Sequence, residues 1–172
     1  MKLTASQQAA AARAAQKLGI EVDWLLAVIQ NESGGNPQIK NPSSSARGLI
    51  QFMDSTARGM GYAGSAELVA TFPTFEEQIE GPVVRYYQAY APWSSRDEFL
   101  GTAFYPAYRH QLDAPLPADV RAANPGFNTL RDYANRVWLK YRGVVLIRES
   151  FPFLAAICGV AAWWYWDQHR KG

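Results

Sequence analysis

Hydrophobic positions recur at helical spacing along most of the chain. An alanine-rich stretch from about Thr4 to Leu18 reads as a first helix, closed by Gly19. In Glu21–Glu32, residues Leu25, Val28, Ile29 and Glu32 fall on one face at i, i+3, i+4 and i+7. That face is apolar up to Glu32, and Gly34-Gly35 is able to end the helix just beyond it. Ala46–Gly59 reads as a further helix. Thr74-Phe75-Glu76-Glu77 has the form of a capping box opening a helix to about Ala91, with Ile79, Val83, Tyr86, Tyr87 and Tyr90 as an aromatic stripe. Such a stripe serves as core or as a ligand platform, core being the commoner use. Ser95-Arg96-Asp97-Glu98 reads as a second box, starting a helix through Phe99 to Arg109 that Pro106 kinks or shortens. Residues 112–128, with Pro115, Pro117 and Pro125, read as a surface loop, and Thr129 caps a helix running to Arg148. No segment alternates as a strand does, and there is no Asn-Gly hairpin. The predicted fold class is all-α.

Composition narrows the function. The 172 residues suit one compact domain, and 6 Trp, 9 Tyr and 8 Phe supply flat faces for a core or for sugar rings. The net charge of +2 is too small to argue for nucleic acid, and no basic run or nucleic-acid motif is present. A lone cysteine, Cys158, excludes an internal disulfide framework, and with only His110 and His169 besides, no zinc site of the usual ligand type is expected. No Gly-rich phosphate loop appears, and no cofactor is expected.

The chemistry-bearing feature is Glu32 at the end of its apolar face. A carboxylate held against apolar side chains is desolvated, which disfavours the charged form and suits a general acid working near neutral pH. Any single glutamate is more often a solvated helix end. The second block, Gly48-Leu49-Ile50-Gln51-Phe52-Met53, changes that balance, with Gln51 following Glu32 across a Gly/Asn/Pro/Ser-rich loop.

Glu32-Ser33-Gly34-Gly35-Asn36-Pro37, then Ala46-Arg47-Gly48-Leu49-Ile50-Gln51-Phe52-Met53 and Ser55-Thr56-Ala57, together resemble the soluble lytic transglycosylases, relatives of goose-type lysozyme. The resemblance is tight over residues 21–61 and looser to about residue 140. It implies an all-α, lysozyme-like lytic transglycosylase domain (residues 1–143) that cleaves peptidoglycan glycan strands. It places the catalytic acid/base on Glu32 and substrate contacts on Ser33, Gly48, Leu49, Gln51 and Met53. The chain departs from the family at Ala103-Phe104-Tyr105-Pro106-Ala107-Tyr108, where many members carry an Ala-Tyr-Asn-Ala-Gly-like motif. Tyr105 is retained as a candidate cleft hydroxyl, the asparagine is absent, and the variant resembles phage-encoded members. Tyr133 resembles a tyrosine that faces the catalytic carboxylate in the family; a half-buried helix tyrosine is the alternative.

Most glycosidases use two carboxylates. Asp23 points elsewhere on the Glu32 helix, and Asp54 matches no family carboxylate. The resemblance therefore implies one residue acting as acid and then base, with a 1,6-anhydro-N-acetylmuramic acid product. A hydrolytic lysozyme, with Glu32 helped by Asp54, is the runner-up. A glycan-binding ejection or membrane component without catalysis is the third reading.

The C-terminus adds a second clue. Phe151–Trp166 carries no charge and ends in Trp163-Trp164-Tyr165-Trp166. As a helix it would span about 24 Å, against a hydrocarbon core of about 30 Å. Adding Val144–Ile147 lengthens it to about 34 Å, with Arg148 snorkelling and the aromatic cluster at an interface. Residues 144–172 are thus expected to form a C-terminal hydrophobic, membrane-inserting helix with a short basic tail; a terminal helix packed on the domain is the alternative. Residues 1–19 do not form a secretory signal. The expected setting is a phage virion, with the protein opening the host envelope during genome delivery alongside other virion or ejection proteins. A lysis protein and bacterial wall remodelling are the rival settings.

Overall fold

The computed structural model describes the backbone of residues 1–150 and the side chains of residues 1–143. The expected membrane segment at 151–166 lies outside the described residues. Among those described, no helix is long and apolar enough to cross a membrane. The chain forms two compact units that divide between Ser94 and Ser95. Its regular elements among the described residues are helical, and β pairing is confined to two isolated bridges.

In the first unit, α1 (Ala5–Leu18) begins at a reciprocal Thr4/Gln7 capping box and packs through Ala10, Ala11, Ala14, Ala15 and Leu18. Small side chains on that face let α2 (Val22–Glu32) and the stretch Phe75–Gln88 lie against it. The buried residues of α2 are Leu25, Ala27, Val28, Ile29 and Glu32, so the predicted apolar face is the one turned inward.

The segment 46–59 does not form the expected helix. Arg47 bridges antiparallel to both Lys40 and Phe52, and α3 begins only at Asp54 (Asp54–Gly59). The cause is backbone handedness: Gly48 at φ 77° and Gln51 at φ 54° are left-handed, which a right-handed helix cannot contain. A short helix with no sequence signal noted above, α4 (Ser65–Thr71), follows. Its first residue is held from outside, because Asp54 Oδ1 accepts from Ser65 N at 2.9 Å and Ser65 Oγ at 2.7 Å.

The Thr74 box forms as expected, with Glu77 N donating to Thr74 Oγ1 and Thr74 N to the Glu77 carboxylate. It opens α5 (Phe75–Gln78), a wide π turn at Ile79–Val83 containing Pro82, and α6 (Val84–Gln88). The stretch stops at Gln88, short of the expected Ala91.

The second unit holds α7 (Arg96–Phe104), a 3₁₀ turn (Pro106–Tyr108), α8 (Ala118–Ala123) and α9 (Leu130–Ser150). Proline disfavours helical geometry in the residue before it, and α7 duly ends at Phe104, with Tyr105 extended at φ −144°. Only half of the Ser95 box forms. Ser95 Oγ caps Glu98 N, but the Glu98 side chain turns inward, 3.1 Å from His110 Nδ1. The region 112–128 contains α8, which the prolines hid. Thr129 and Asp132 cap α9 reciprocally. α7 packs on α9, and a Cβ at Gly101 would lie 3.3 Å from Leu130 Cδ1.

Candidate functional site

The α2 helix ends because Ser33 leaves helical geometry and Gly34 and Gly35 follow at φ 62° and 89°. Glu32 is thereby fixed as the last helical residue, only 9% exposed. Burial and the negative end of the helix both disfavour an ionised carboxylate there. Asn31 Nδ2 donates to Glu32 Oε1 at 3.1 Å. The Ser33 hydroxyl donates to Ile29 O and accepts from Gly35 N, so it secures the turn that holds Glu32 in place.

The second motif lies in the turn Arg47–Phe52, closed by Phe52 N to Arg47 O at 2.8 Å and Arg47 N to Phe52 O at 3.1 Å. Gln51 adopts its left-handed backbone with a side chain 7% exposed. Its Nε2 donates to Gly48 O at 3.1 Å, while its buried Oε1 has no hydrogen-bond partner among the described residues. A left-handed non-glycine residue costs about 1–2 kcal/mol, and an unpaired buried acceptor about 1–3 kcal/mol. Strain and an orphaned polar atom in one residue are features that cluster at functional sites, which makes Gln51 a candidate. Leu49 is fully buried beneath the turn, and Met53, half-buried, precedes α3.

Aromatic residues link the two motifs. Phe52 meets Tyr86 edge-on with ring centroids 6.3 Å apart, and Tyr86 packs on Tyr87 at 5.0 Å and on Tyr90 at 5.3 Å. Burial raises the Tyr86 phenol far above its ordinary range, helped by Tyr90 and by the negative charge of Glu32. Tyr87, fully buried, is raised by burial and also feels Glu32. Phe52, adjacent to Gln51, thus converges with Glu32 on the tyrosine stripe. The stripe serves as core at Tyr87, while half-buried Tyr86 carries the contact with Phe52 and feels the charge of Glu32.

Asp54 is committed elsewhere. Its hydrogen bonds with Ser65 hold its carboxyl below the usual range. A carboxylate so stabilised is a weak base. Among the described residues, no cluster of three or more His, Cys, Asp or Glu side chains could hold a metal ion.

Tyr105 and Tyr133 belong to the second unit. The Tyr133 ring is buried, stacked on Phe104 at 4.7 Å and edge-on to Phe127 at 5.6 Å. Tyr105 is half-buried beside Tyr108, at the entry to the 3₁₀ turn.

Sequence reasoning missed Gln78, which is wholly buried and hydrogen-bonded to Leu49 of the Gln51 turn. The available signal was a polar residue on an apolar face, three positions after Phe75 and four before Pro82.

No curated protein and no solved structure matches the chain. The helical architecture is consistent with an all-α lysozyme-like domain of the kind that the resemblance implies. Residues 9–75, which carry both motifs, match the model of the transglycosylase SLT domain, and this match supports a lytic transglycosylase family for the chain.

Proposed function

We propose that the protein is a peptidoglycan lytic transglycosylase that cleaves the β-1,4 bond between N-acetylmuramic acid and N-acetylglucosamine. The observation that carries this reading is one buried carboxylate at a helix end, Glu32, linked through Phe52 and Tyr86 to a strained turn presenting the unpaired Gln51 oxygen.

Glu32 first donates its proton to the glycosidic oxygen as the C1–O bond breaks. The substrate's N-acetyl group stabilises the positive charge developing at C1. The muramoyl C6 hydroxyl then attacks C1 and loses its proton to Glu32, which closes the 1,6-anhydro ring and restores the acid. No water is consumed. The Gln51 amide oxygen accepts a hydrogen bond from the sugar, and Gly48 and Met53 shape the surface beside it. Ser33 and Leu49 act from beneath, through the backbone they hold. Tyr105 and Tyr133, which belong to the second unit, are the further candidate substrate contacts. Most glycoside hydrolases use a second carboxylate, and the engagement of Asp54 by Ser65 argues against it in that role.

The test is digestion of purified peptidoglycan followed by mass spectrometry of the muropeptides. Anhydro products, one water lighter than lysozyme's, are expected. They should fall by about 10²–10⁴-fold with Glu32→Gln, the range of general acid/base catalysis. Reducing-end products would make the enzyme a hydrolase, and no cleavage by folded wild type would favour a glycan-binding component.

The setting proposed is a phage particle, supported by the likeness of Phe104-Tyr105-Pro106-Ala107 to phage-encoded members and by the uncharged run 151–166 as a membrane contact. Proteomics of purified virions should find the protein, and its consistent absence would refute this setting.

A further inference from the structure

Gln78 lies outside the residues matched to the SLT domain, and none of the chemistry above uses it. It sits on the inward face of α5 between Phe75 and Ile79, with no exposed surface. A primary amide buried among apolar side chains is costly unless its polar atoms are paired. They are paired, with the backbone of three separate loops. Oε1 accepts from Leu49 N at 2.9 Å, while Nε2 donates to Pro37 O at 2.7 Å and to Phe72 O at 2.9 Å. Pro37 closes the segment that begins at Glu32, and Leu49 belongs to the turn that presents Gln51. One side chain therefore ties the loop behind the carboxylate to the turn behind the amide. The contact also explains the glycine at 48: a Cβ there would sit 2.6 Å from Gln78 Oε1 and 3.1 Å from Val69 Cγ2.

We propose that Gln78 is a positioning residue of the transglycosylase site, setting the spacing between the Glu32 segment and the Gln51 turn. The assignment rests on the function proposed above. Without the amide, the Leu49 N–H and the Pro37 carbonyl lose their shared partner and the two segments move independently. Misplacement of that kind raises the barrier to reaction more than it weakens ground-state binding.

The experiment uses the full chain with Gln78→Met, similar in length but without the amide, and Gln78→Glu. On soluble, uncrosslinked glycan strands, Gln78→Met is expected to lower kcat by about 10–100-fold while KM stays within about threefold. Gln78→Glu still accepts from Leu49 N, but as a carboxylate it sets negative oxygen against two carbonyls. Once protonated, it donates to one of them. Its activity relative to wild type should therefore rise as pH falls from neutral towards the carboxylic acid range. Hydrogen exchange at the Leu49 amide, measured without substrate, should quicken in Gln78→Met. A folded Gln78→Met with wild-type kcat, or lowered thermal stability alone, would overturn the assignment. So would a Gln78→Glu to wild-type ratio that is flat with pH, which remains decisive if Gln78→Met fails to fold. An inactive wild type would instead defeat the proposed function, leaving the link between the two loops to be judged by the Leu49 exchange rate.

Discussion

Gln51 holds an unfavourable backbone conformation and leaves a buried oxygen unpaired, although glycine would relieve both conditions. The fold retains a glutamine there, so relief and activity should separate. Gln51→Gly is expected to unfold at no lower free energy than wild type, and up to about 1 kcal/mol higher, despite losing a buried side chain. Its cleavage of peptidoglycan should fall at least about tenfold. Denaturant unfolding and product analysis on one preparation would check both halves, and unimpaired cleavage would remove Gln51 from the site. Gly48→Ala should act in the opposite sense on stability, losing about 2 kcal/mol or more, because the new methyl meets Gln78 and the backbone is left-handed. At this scale the sequence foretold the placement of Glu32, buried at the end of its helix, from four positions on one face and a glycine pair. It did not expose the handedness of Gln51, because no side-chain pattern encodes the sign of φ for a residue that tolerates the left-handed region only under external constraint.

Helix ends were legible wherever a capping side chain stands beside the first turn. Thr4, Thr74, Ser95 and Thr129 all cap as their positions suggest. The failure at 46–59 has a specific cause. Ala46, Leu49, Ile50 and Met53 mimic helical spacing, yet the bridges of Arg47 and the glycine at 48 close a turn instead. The helix α4 was illegible because its cap comes from Asp54, eleven residues upstream, rather than from its own flank. That cap has a pH signature. The folded Asp54 carboxyl titrates below its unfolded value, so its stabilisation is present above the ordinary carboxylate range and is lost as pH falls through the lowered one. Asp54→Ala should therefore melt below wild type at pH 7, with the gap closing in acid below about pH 4. Thermal melts at a series of pH values would show it, and a gap that persists unchanged in acid would count against the cap.

Over the whole chain, the matched motifs lie in the first unit and the two candidate tyrosines in the second. Tyr133→Phe removes one hydroxyl and keeps the ring between Phe104 and Phe127, so the fold should survive. If the Tyr133 hydroxyl contacts substrate as proposed, turnover falls by about tenfold or more, the scale of losing one well-placed donor. Unchanged turnover would reduce Tyr133 to aromatic packing. The helical class was legible from periodicity and punctuation, though not every element was. The division at Ser94 was not, since the serine pair there resembles any other turn.

One deviation in helical pitch decides which side chains of the tyrosine-bearing stretch are buried. Phe75, Ile79, Val83 and Tyr87 are all buried although each lies four residues after the last. In an unbroken α-helix that spacing drifts by about 40° per step, and by Tyr87 the side chain would have rotated about 120° off the core. The wide turn at Ile79–Val83 absorbs the drift, in the way an added residue resets a reading frame. Deleting one residue there would leave a regular α-helix in which Tyr87 lies within about 20° of the face of Phe75, whereas inserting one more would turn everything beyond it by about 100°. After such an insertion Tyr86 and Tyr87 would both leave their present positions. Natural variants should therefore tolerate substitution across this turn, or loss of its extra residue, far better than a further insertion.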